Sequence, residues 1–115
     1  MNSAELRVGL VGAGAIARDQ HLPGWRLVPQ ARVVNVADAS FAAAEKTAAD
    51  FLLPRFETDY RVLLDDPAID VIDICCPSAL HAQVSIAALN AGKHVLCEKP
   101  MATSRAGYGF QFAKH

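Results

Sequence analysis

A glycine-rich segment near the start of the chain has the composition and spacing of a phosphate-binding loop. The sequence GLVGAGAIA contains the pattern G-x-G-x-x-A, with its small residues at Gly12, Gly14 and Ala17. Gly12 would permit a tight turn, Gly14 would let the backbone approach a ligand without a Cβ in the way, and Ala17 would allow close helix packing. A helix that begins near Ala15 and Ile16 would direct free N–H groups and its positive dipole end at an anion. The pattern therefore predicts a pyrophosphate site, although a small-residue packing turn can have the same spacing.

Asp38 follows this loop at the distance expected of a ribose-binding carboxylate, about twenty residues after the pattern. It could accept hydrogen bonds from both hydroxyls of an adenine ribose, and the simpler alternative is an aspartate that caps a turn or helix after a strand. Its negative charge would repel a 2′-phosphate, and residues 39–41 supply no arginine or lysine to neutralise one. We therefore expect NAD rather than NADP, with Ser40 and Arg18 as the residues that could still accommodate a phosphate.

Two later segments carry ionisable groups where strands are expected to end. The first reads CPSALH, from Cys76 to His81, and the second reads EKP, from Glu98 to Pro100. Doubly wound parallel sheets bind ligands beyond the carboxyl ends of their strands, so both segments should flank the nicotinamide end of a bound dinucleotide. Without further context, Lys99 is most simply a solvated lysine after a strand.

The elements that must position these residues follow from an alternation of short apolar runs with longer alanine-rich stretches, which is typical of β-α-β units. The strand candidates are continuously apolar, as expected for a parallel sheet that helices cover on both faces. They are residues 6–11, 33–37, 71–75 and 94–97, with a weaker fifth strand at 55–56. Helices are expected over 42–52 and 79–91, the second with Ser78 as N-cap and Gly92 at its end. A further helix from about residue 15 should be interrupted or re-aimed at residues 21–23, because of the proline there.

The composition limits the classes of partner. The chain has 115 residues, enough for one compact domain, and its 11 basic and 12 acidic side chains give a net charge of −1. We find no basic patch for nucleic acid, no apolar stretch that could span a bilayer and no signal-peptide pattern, so we expect a cytoplasmic protein with a small-molecule partner. Cys75, Cys76 and Cys97 are odd in number and have apolar neighbours. Reduced, buried thiols are expected rather than a disulfide or a metal site.

Three longer segments form a combined pattern that is more specific than any single motif. They read DPAIDVIDIC (66–75), CPSALH (76–81) and GKHVLCEKPMA (92–102). Together with the glycine-rich loop, Asp38 and the HLP at 21–23, they resemble the N-terminal NAD(P)-binding domain of the glucose-fructose oxidoreductase and inositol dehydrogenase (Gfo/Idh/MocA) family. The resemblance extends from Leu6 to about Ser104. It implies an α/β fold with a Rossmann-type doubly wound parallel sheet of about five strands.

The resemblance also implies a role for the EKP segment. Lys99 would be catalytic and close to both the nicotinamide and the substrate hydroxyl. There its ammonium group could polarise the alcohol, or help to deprotonate it as hydride leaves. Glu98 would face the nicotinamide ribose, and Pro100 often follows a cis bond in such proteins.

For the CPSALH loop, the resemblance implies contact with the nicotinamide side of the cofactor through Cys76, Pro77, Ser78 and His81. Many family members have Thr-Pro-Asn where this chain has Cys76, Pro77 and Ser78. His81 could instead be an ordinary residue in the first turn of a helix. His21 is expected to be structural, or to lie near the mouth of the cleft, rather than to be catalytic.

The family pattern stops near residue 104, so we expect residues 1–104 to form the nucleotide-binding domain. Residues 105–115 are expected to be an irregular tail, because Gly107 and Gly109 disfavour a helix. Family members continue with a sixth strand and a substrate domain that contributes an aspartate and a histidine. The chain is therefore expected to be truncated and inactive on its own. An unpaired sheet edge would then favour self-association.

The function expected from these observations is nucleotide binding for an NAD(P)-dependent oxidoreductase that acts on a CH–OH group of a sugar or polyol. One alternative is a non-enzymatic module that senses NAD or binds a partner protein. A methyltransferase is another, since it also needs a glycine-rich first loop and an acidic residue after the second strand. The EKP segment argues against the methyltransferase.

Overall fold

Six strands form one sheet whose order changes direction at the first strand. The computed structural model describes residues 5–99 and 109–114. The strands are β1 (Leu6–Val11), β2 (Ala31–Ala37), β3 (Arg55–Glu57), β4 (Val71–Ile74), β5 (His94–Lys99) and β6 (Gly109–Lys114). Their order across the sheet is β3-β2-β1-β4-β5-β6, and β1 to β5 run parallel. The chain moves outward in one direction to β3 and then returns to the other side of β1, which leaves a crevice at the carboxyl ends of β1 and β4.

Helical segments connect the strands. They are a π-helical turn (Ala17–His21), α1 (Leu22–Arg26), α2 (Phe41–Phe51), α3 (Arg61–Leu64) and α4 (Ser78–Asn90). The start of α2 is capped by the Ser40 side chain, which accepts a hydrogen bond from the Ala43 N–H at 3.2 Å. Beyond the end of α4, Gly92 has φ +82°, a conformation that glycine adopts without strain.

Two expectations about helix boundaries need correction. The predicted interruption near Pro23 is a change from a π-helical turn to α1, in which the proline occupies the first turn and needs no hydrogen-bond partner for its nitrogen. Ser78 is the first residue of α4 rather than its N-cap. Pro77 holds the N-cap position and has an extended ψ of 149°, and no side chain caps this helix.

The sheet has one strand more than expected. Residues 105–115 were predicted to form an irregular tail, yet Gly109–Lys114 pairs antiparallel with β5. Glycines at 107 and 109 disfavour a helix, but aromatic residues at 110 and 112 favour an extended chain. The open side of β5 offers that chain a row of backbone hydrogen-bonding groups. The edge that was expected to stay unpaired is therefore covered.

Buried apolar side chains pack against both faces of the sheet, as the continuous apolar strands predicted. One face packs against α3 and α4 through a cluster that includes Leu63, Ile72, Ile74, Val84 and Val95. The opposite face packs against the π-helical turn, α1 and α2 through Leu10, Ala17, Leu22, Val36 and Ala48. Within residues 5–99 and 109–114, none of the helices has the length and apolar character needed to cross a membrane.

Lys93 is a buried cation that joins the loop before β4 to the start of β5. Its side chain is mostly enclosed, with 6% of the residue exposed. The Nζ donates hydrogen bonds to the carbonyl oxygens of Asp66 at 2.6 Å and Ile69 at 2.7 Å. The Asp66 carbonyl oxygen also accepts a hydrogen bond from the Ile69 N–H at 3.1 Å, so Lys93 is its second donor. Both carbonyl groups lie at the amino-terminal side of the sheet, away from the crevice.

Replacement of Lys93 by methionine is expected to lower the free energy of unfolding by about 1–3 kcal/mol, because the apolar chain is kept while two carbonyl oxygens lose a donor. Urea denaturation monitored by circular dichroism measures this change. Lys46→Met is the matched control, since Lys46 is 69% exposed and only pairs with Asp50 along α2. Equal midpoint shifts for the two variants would contradict the role assigned to Lys93.

Candidate functional site

A cleft of about 1050 Å³ lies over the carboxyl ends of β1, β2 and β4. Its wall consists of the glycine-rich loop, the residues that follow β2 and β3, and the loop that leads into α4. The lining residues are Val11, Gly12, Gly14, Ala15, Ile16, Ala37, Asp38, Ala39, Thr58, Asp59, Tyr60, Arg61, Ile74, Cys75, Cys76, Pro77, Ser78, Leu80, His81 and Val84. In open α/β sheets, ligands bind in the crevice at this position.

The glycine-rich loop has the two properties that its spacing predicted. Gly12 has φ +106°, and a Cβ there would lie 2.8 Å from the Cys75 carbonyl carbon and 2.9 Å from the Cys76 nitrogen. Its own N–H donates to the Ala37 carbonyl oxygen at 2.7 Å. A Cβ built on Gly14 would meet nothing within 4 Å, so the loop surface is open at that residue. Gly12 is thus required by the fold, and Gly14 leaves space for a ligand.

Asp38 connects the glycine-rich loop to the start of α2. Its Oδ2 accepts a hydrogen bond from the Ala13 N–H at 2.8 Å, and its Oδ1 accepts one from the Ser40 N–H at 2.8 Å. Asp38 therefore caps the turn before α2, which was the simpler interpretation of this residue. It also lines the cleft. A carboxylate has about four lone-pair sites, so capacity remains for two further donors such as ribose hydroxyls.

Arg18, which could have accommodated a 2′-phosphate, is bound to α2 instead. Its guanidinium donates to Thr47 Oγ1 at 3.0 Å and to Asp50 Oδ2 at 2.8 Å, and it lies 5.8 Å from the centre of the Phe51 ring. The Arg18 pair holds the pKa of the Asp50 carboxyl below its usual value, with a further contribution from Lys46. Arg18 does not line the cleft.

The loop into α4 supplies the other wall of the cleft, and all four of its predicted site residues line it: Cys76, Pro77, Ser78 and His81. The His81 Nε2–H donates to the Cys76 carbonyl oxygen at 2.6 Å, which fixes the tautomer and leaves Nδ1 as the acceptor. Burial raises the pKa of the Cys76 thiol and, separately, that of Cys97. The three cysteines are each only partly buried, whereas buried thiols were expected.

The structure describes only the backbone positions of Glu98 and Lys99. They end β5, which pairs with β4 so that Cys97 lies opposite Ile74. Lys99 therefore follows two residues later along the strand, at the same edge of the sheet as Cys76. The side chains of both residues lie outside what the structure describes, and so does Pro100 with its expected cis bond.

The residues after β3 also line the cleft, although no sequence motif had pointed to them. Thr58, Asp59, Tyr60 and Arg61 line the cleft next to Asp38, whose N–H donates to the Glu57 carbonyl oxygen at 3.0 Å. A parallel strand was expected at 55–56, and its carboxyl end must meet the same edge of the sheet as the others. That rule could have identified the segment.

A buried polar cluster anchors the helical segment that follows the glycine-rich loop. Asp73, fully buried in β4, accepts hydrogen bonds from His21 Nδ1 at 2.8 Å and Trp25 Nε1 at 2.7 Å. His21 thus has a structural hydrogen bond, which fits the first of its two expected placements, a structural residue or one near the mouth of the cleft. His21, Asp73 and Cys75 offer metal-ligating atoms within 4.8 Å of one another. Direct hydrogen bonds already occupy the carboxylate, however, and the arrangement is explained as an anchor.

Replacing Gly12 by alanine is expected to destabilise the chain by about 2 kcal/mol or more, because the new Cβ would overlap the Cys75–Cys76 peptide in a strained conformation. Gly14→Ala adds the same methyl group where a Cβ meets nothing and should leave stability unchanged or slightly raised. Thermal and urea unfolding compare the two variants. Comparable losses in both, or none in either, would refute the assignment of Gly12 as the structural glycine.

Comparisons with known proteins agree with the fold. The family described as "Oxidoreductase family, NAD-binding Rossmann fold" (Gfo/Idh/MocA) matches residues 6–109. Levoglucosan dehydrogenase of Pseudarthrobacter phenanthrenivorans is 37% identical, and the match covers 84% of this chain and 27% of that protein. A solved levoglucosan dehydrogenase in complex with NADH has a TM-score of 0.72 at 36% identity, with 84% of this chain and 28% of that one covered.

A second solved structure carries the other nicotinamide cofactor. A 3-ketoreductase from Actinomadura kijaniata, in complex with NADP and TDP-benzene, has a TM-score of 0.78 at 35% identity. The match covers 88% of this chain and 31% of that one. The chain thus spans less than a third of the length of each of these relatives. Because the family match covers most of its residues, the chain belongs to the Gfo/Idh/MocA oxidoreductase family and has that family's NAD-binding Rossmann fold.

Proposed function

We propose that the chain binds NAD in the cleft, as the nucleotide-binding domain of an oxidoreductase that acts on a CH–OH group of a sugar or polyol. The observation that carries the proposal is the combination of Gly12, Gly14 and Asp38 around one cleft. Gly12 forms the turn, Gly14 leaves the backbone open and Asp38 retains free lone pairs at the end of β2. These three features fit a pyrophosphate and an adenine ribose.

In the proposed arrangement, the pyrophosphate lies over Gly14 and accepts hydrogen bonds from backbone N–H groups near Ala15 and Ile16. The adenine ribose lies at Asp38, and the nicotinamide extends toward the loop of Cys76, Pro77, Ser78 and His81. The fixed tautomer of His81 leaves its Nδ1 available to a donor such as a carboxamide N–H. Burial keeps the Cys76 thiol protonated at neutral pH, since its pKa is raised, so this residue contributes packing rather than a negative charge.

NAD is proposed over NADP because the adenosine end of the cleft offers no free cation among the described side chains. Asp38 is negatively charged, Arg18 is paired with Asp50, and Arg61 is paired with Asp59. A 2′-phosphate would therefore meet a carboxylate without compensation. One solved relative has NADH and another has NADP, so the choice depends on local residues such as these.

Lys99 is proposed as the catalytic residue, with Glu98 beside it on the nicotinamide ribose. Both stand at the carboxyl end of β5, where a substrate would meet the nicotinamide. A bound nicotinamide would supply the hydride acceptor for the alcohol carbon. Lys99 would polarise the hydroxyl or assist removal of its proton as the carbonyl forms.

The sugar or polyol class is supported by relatives such as levoglucosan dehydrogenase, whose name states a sugar derivative as its substrate. Because the chain spans about a quarter of that protein, we propose that these residues bind the cofactor without turning over substrate. An odd number of cysteines, none paired in a disulfide among the described residues, is consistent with a reducing compartment, and we infer a cytoplasmic location.

The test measures the binding of NADH to the 115-residue chain by nicotinamide fluorescence. Gly14→Ala is expected to raise the Kd for NADH about tenfold or more, equivalent to about 1.4 kcal/mol, because its methyl group would occupy the path of the pyrophosphate. Its melting temperature should match that of the wild type.

Glu45→Gln serves as the surface control, since Glu45 is exposed on α2 and does not line the cleft. Its Kd should stay within about twofold of the wild-type value, as is usual for an isolated exposed charge. A folded wild-type chain that does not bind NADH, or a Gly14→Ala variant that binds it as well as the wild type, would overturn the proposed function.

A further inference from the structure

A bidentate ion pair stands in the wall of the cleft directly after β3. The Arg61 Nε donates to Asp59 Oδ1 at 3.0 Å, and the Nη2 donates to Oδ2 at 2.9 Å. The backbone N–H of Arg61 also donates to Asp59 Oδ1 at 2.9 Å, which orients the carboxylate. One edge of the guanidinium is therefore occupied by a group within the same turn.

The pair lies at the adenosine end of the cleft. Strand β3 runs beside β2, with Glu57 opposite Ala37, so residue 58 is the neighbour of Asp38 across the sheet. Asp59 and Arg61 follow within three residues, and both line the same cleft as Asp38. Arg61 thus lines the cleft on the strand next to the one that ends at Asp38, where the adenine ribose is proposed to lie.

Arg61 is the one arginine or lysine among the described residues that line the cleft. Its charge is offset by Asp59, and the two groups hold each other ionised: the pKa of Asp59 is lowered, chiefly by its hydrogen bonds from Arg61, and that of Arg61 is raised by Asp59. The pair is solvent-exposed, with 73% of the Arg61 side chain accessible. An exposed pair of this kind adds little to the stability of the fold, so removal of one partner should leave the turn intact.

We propose that Asp59 is a cofactor-specificity residue: it holds Arg61, the one cationic side chain among the described residues that line the cleft, in a neutral pair and so keeps it from a 2′-phosphate. The inference rests on the proposed binding of a nicotinamide dinucleotide at this site. Asp59 would then be a second determinant of the choice between NAD and NADP, beside the charge of Asp38. The cation that NADP would need is present, but it is paired with Asp59. Removing the carboxylate charge of Asp59 should release Arg61 for bidentate contact with a phosphate.

The experiment compares the wild type, Asp59→Asn and the double variant Asp59→Asn with Arg61→Gln. Asparagine keeps an oxygen that can accept the Arg61 backbone N–H, so the turn is preserved. The Kd values for NADH and NADPH are measured by nicotinamide fluorescence at low salt. Asp59→Asn is expected to tighten NADPH binding about fivefold or more relative to NADH, and the double variant should return to the wild-type ratio.

Two further measurements separate this mechanism from a general change in charge or fold. Glu45→Gln removes one exposed carboxylate outside the cleft and should leave the NADPH to NADH ratio within about twofold of the wild type. The gain in Asp59→Asn should shrink when the salt concentration is raised to about 1 M, because it depends on exposed charges.

The outcomes distinguish this inference from the proposed function. If the wild type binds neither nucleotide, the proposed function fails and this inference fails with it. If every variant binds NADH with an unchanged ratio, or the double variant keeps the gain, the role of Asp59 alone is overturned and the binding site stands.

Discussion

The close contact between Gly12 and the Cys75–Cys76 peptide determines the shape of the whole site. This contact joins the loop after β1 to the loop after β4, the two loops on either side of the point where the sheet changes direction. A backbone approach with no room for a Cβ leaves only glycine at that position. The close fit on one side of the loop turns the backbone around Gly14 toward the open cleft.

Asp38 shows how one side chain serves both the fold and the site. Its two oxygens hold the glycine-rich loop and the start of α2 in fixed positions through backbone N–H groups. The negative charge that a ribose would meet is thereby already oriented before any ligand arrives, and a preorganised carboxylate loses little conformational entropy on binding. In the proposed arrangement, the same charge would disfavour an additional phosphate at this end of the cleft.

Patterns that repeat locally could be predicted from the sequence, and contacts between distant segments could not. The apolar runs predicted four strands close to their observed positions, and the glycine spacing predicted the turn with positive φ. Both features depend on residues that are close together in the sequence. The pairing of β6 with β5 depends on an open edge elsewhere in the fold. The Asp59–Arg61 pair becomes part of the cleft only once β3 stands beside β2. The bond between His21 and Asp73 joins residues 52 positions apart, for which no local pattern exists.

The carboxylate of Asp73 in the middle of β4 has a consequence for how the domain holds together. A charged group with no exposed surface is costly unless it has partners, and two of its partners, His21 and Trp25, come from the helical segment on the glycine-loop side of the sheet. Strand β4 therefore cannot be buried at low cost until that segment is in place. The helical segment that follows the glycine-rich loop is thus part of the cooperative unit of folding, and its local unfolding would leave the Asp73 carboxylate in the centre of the sheet without these two partners.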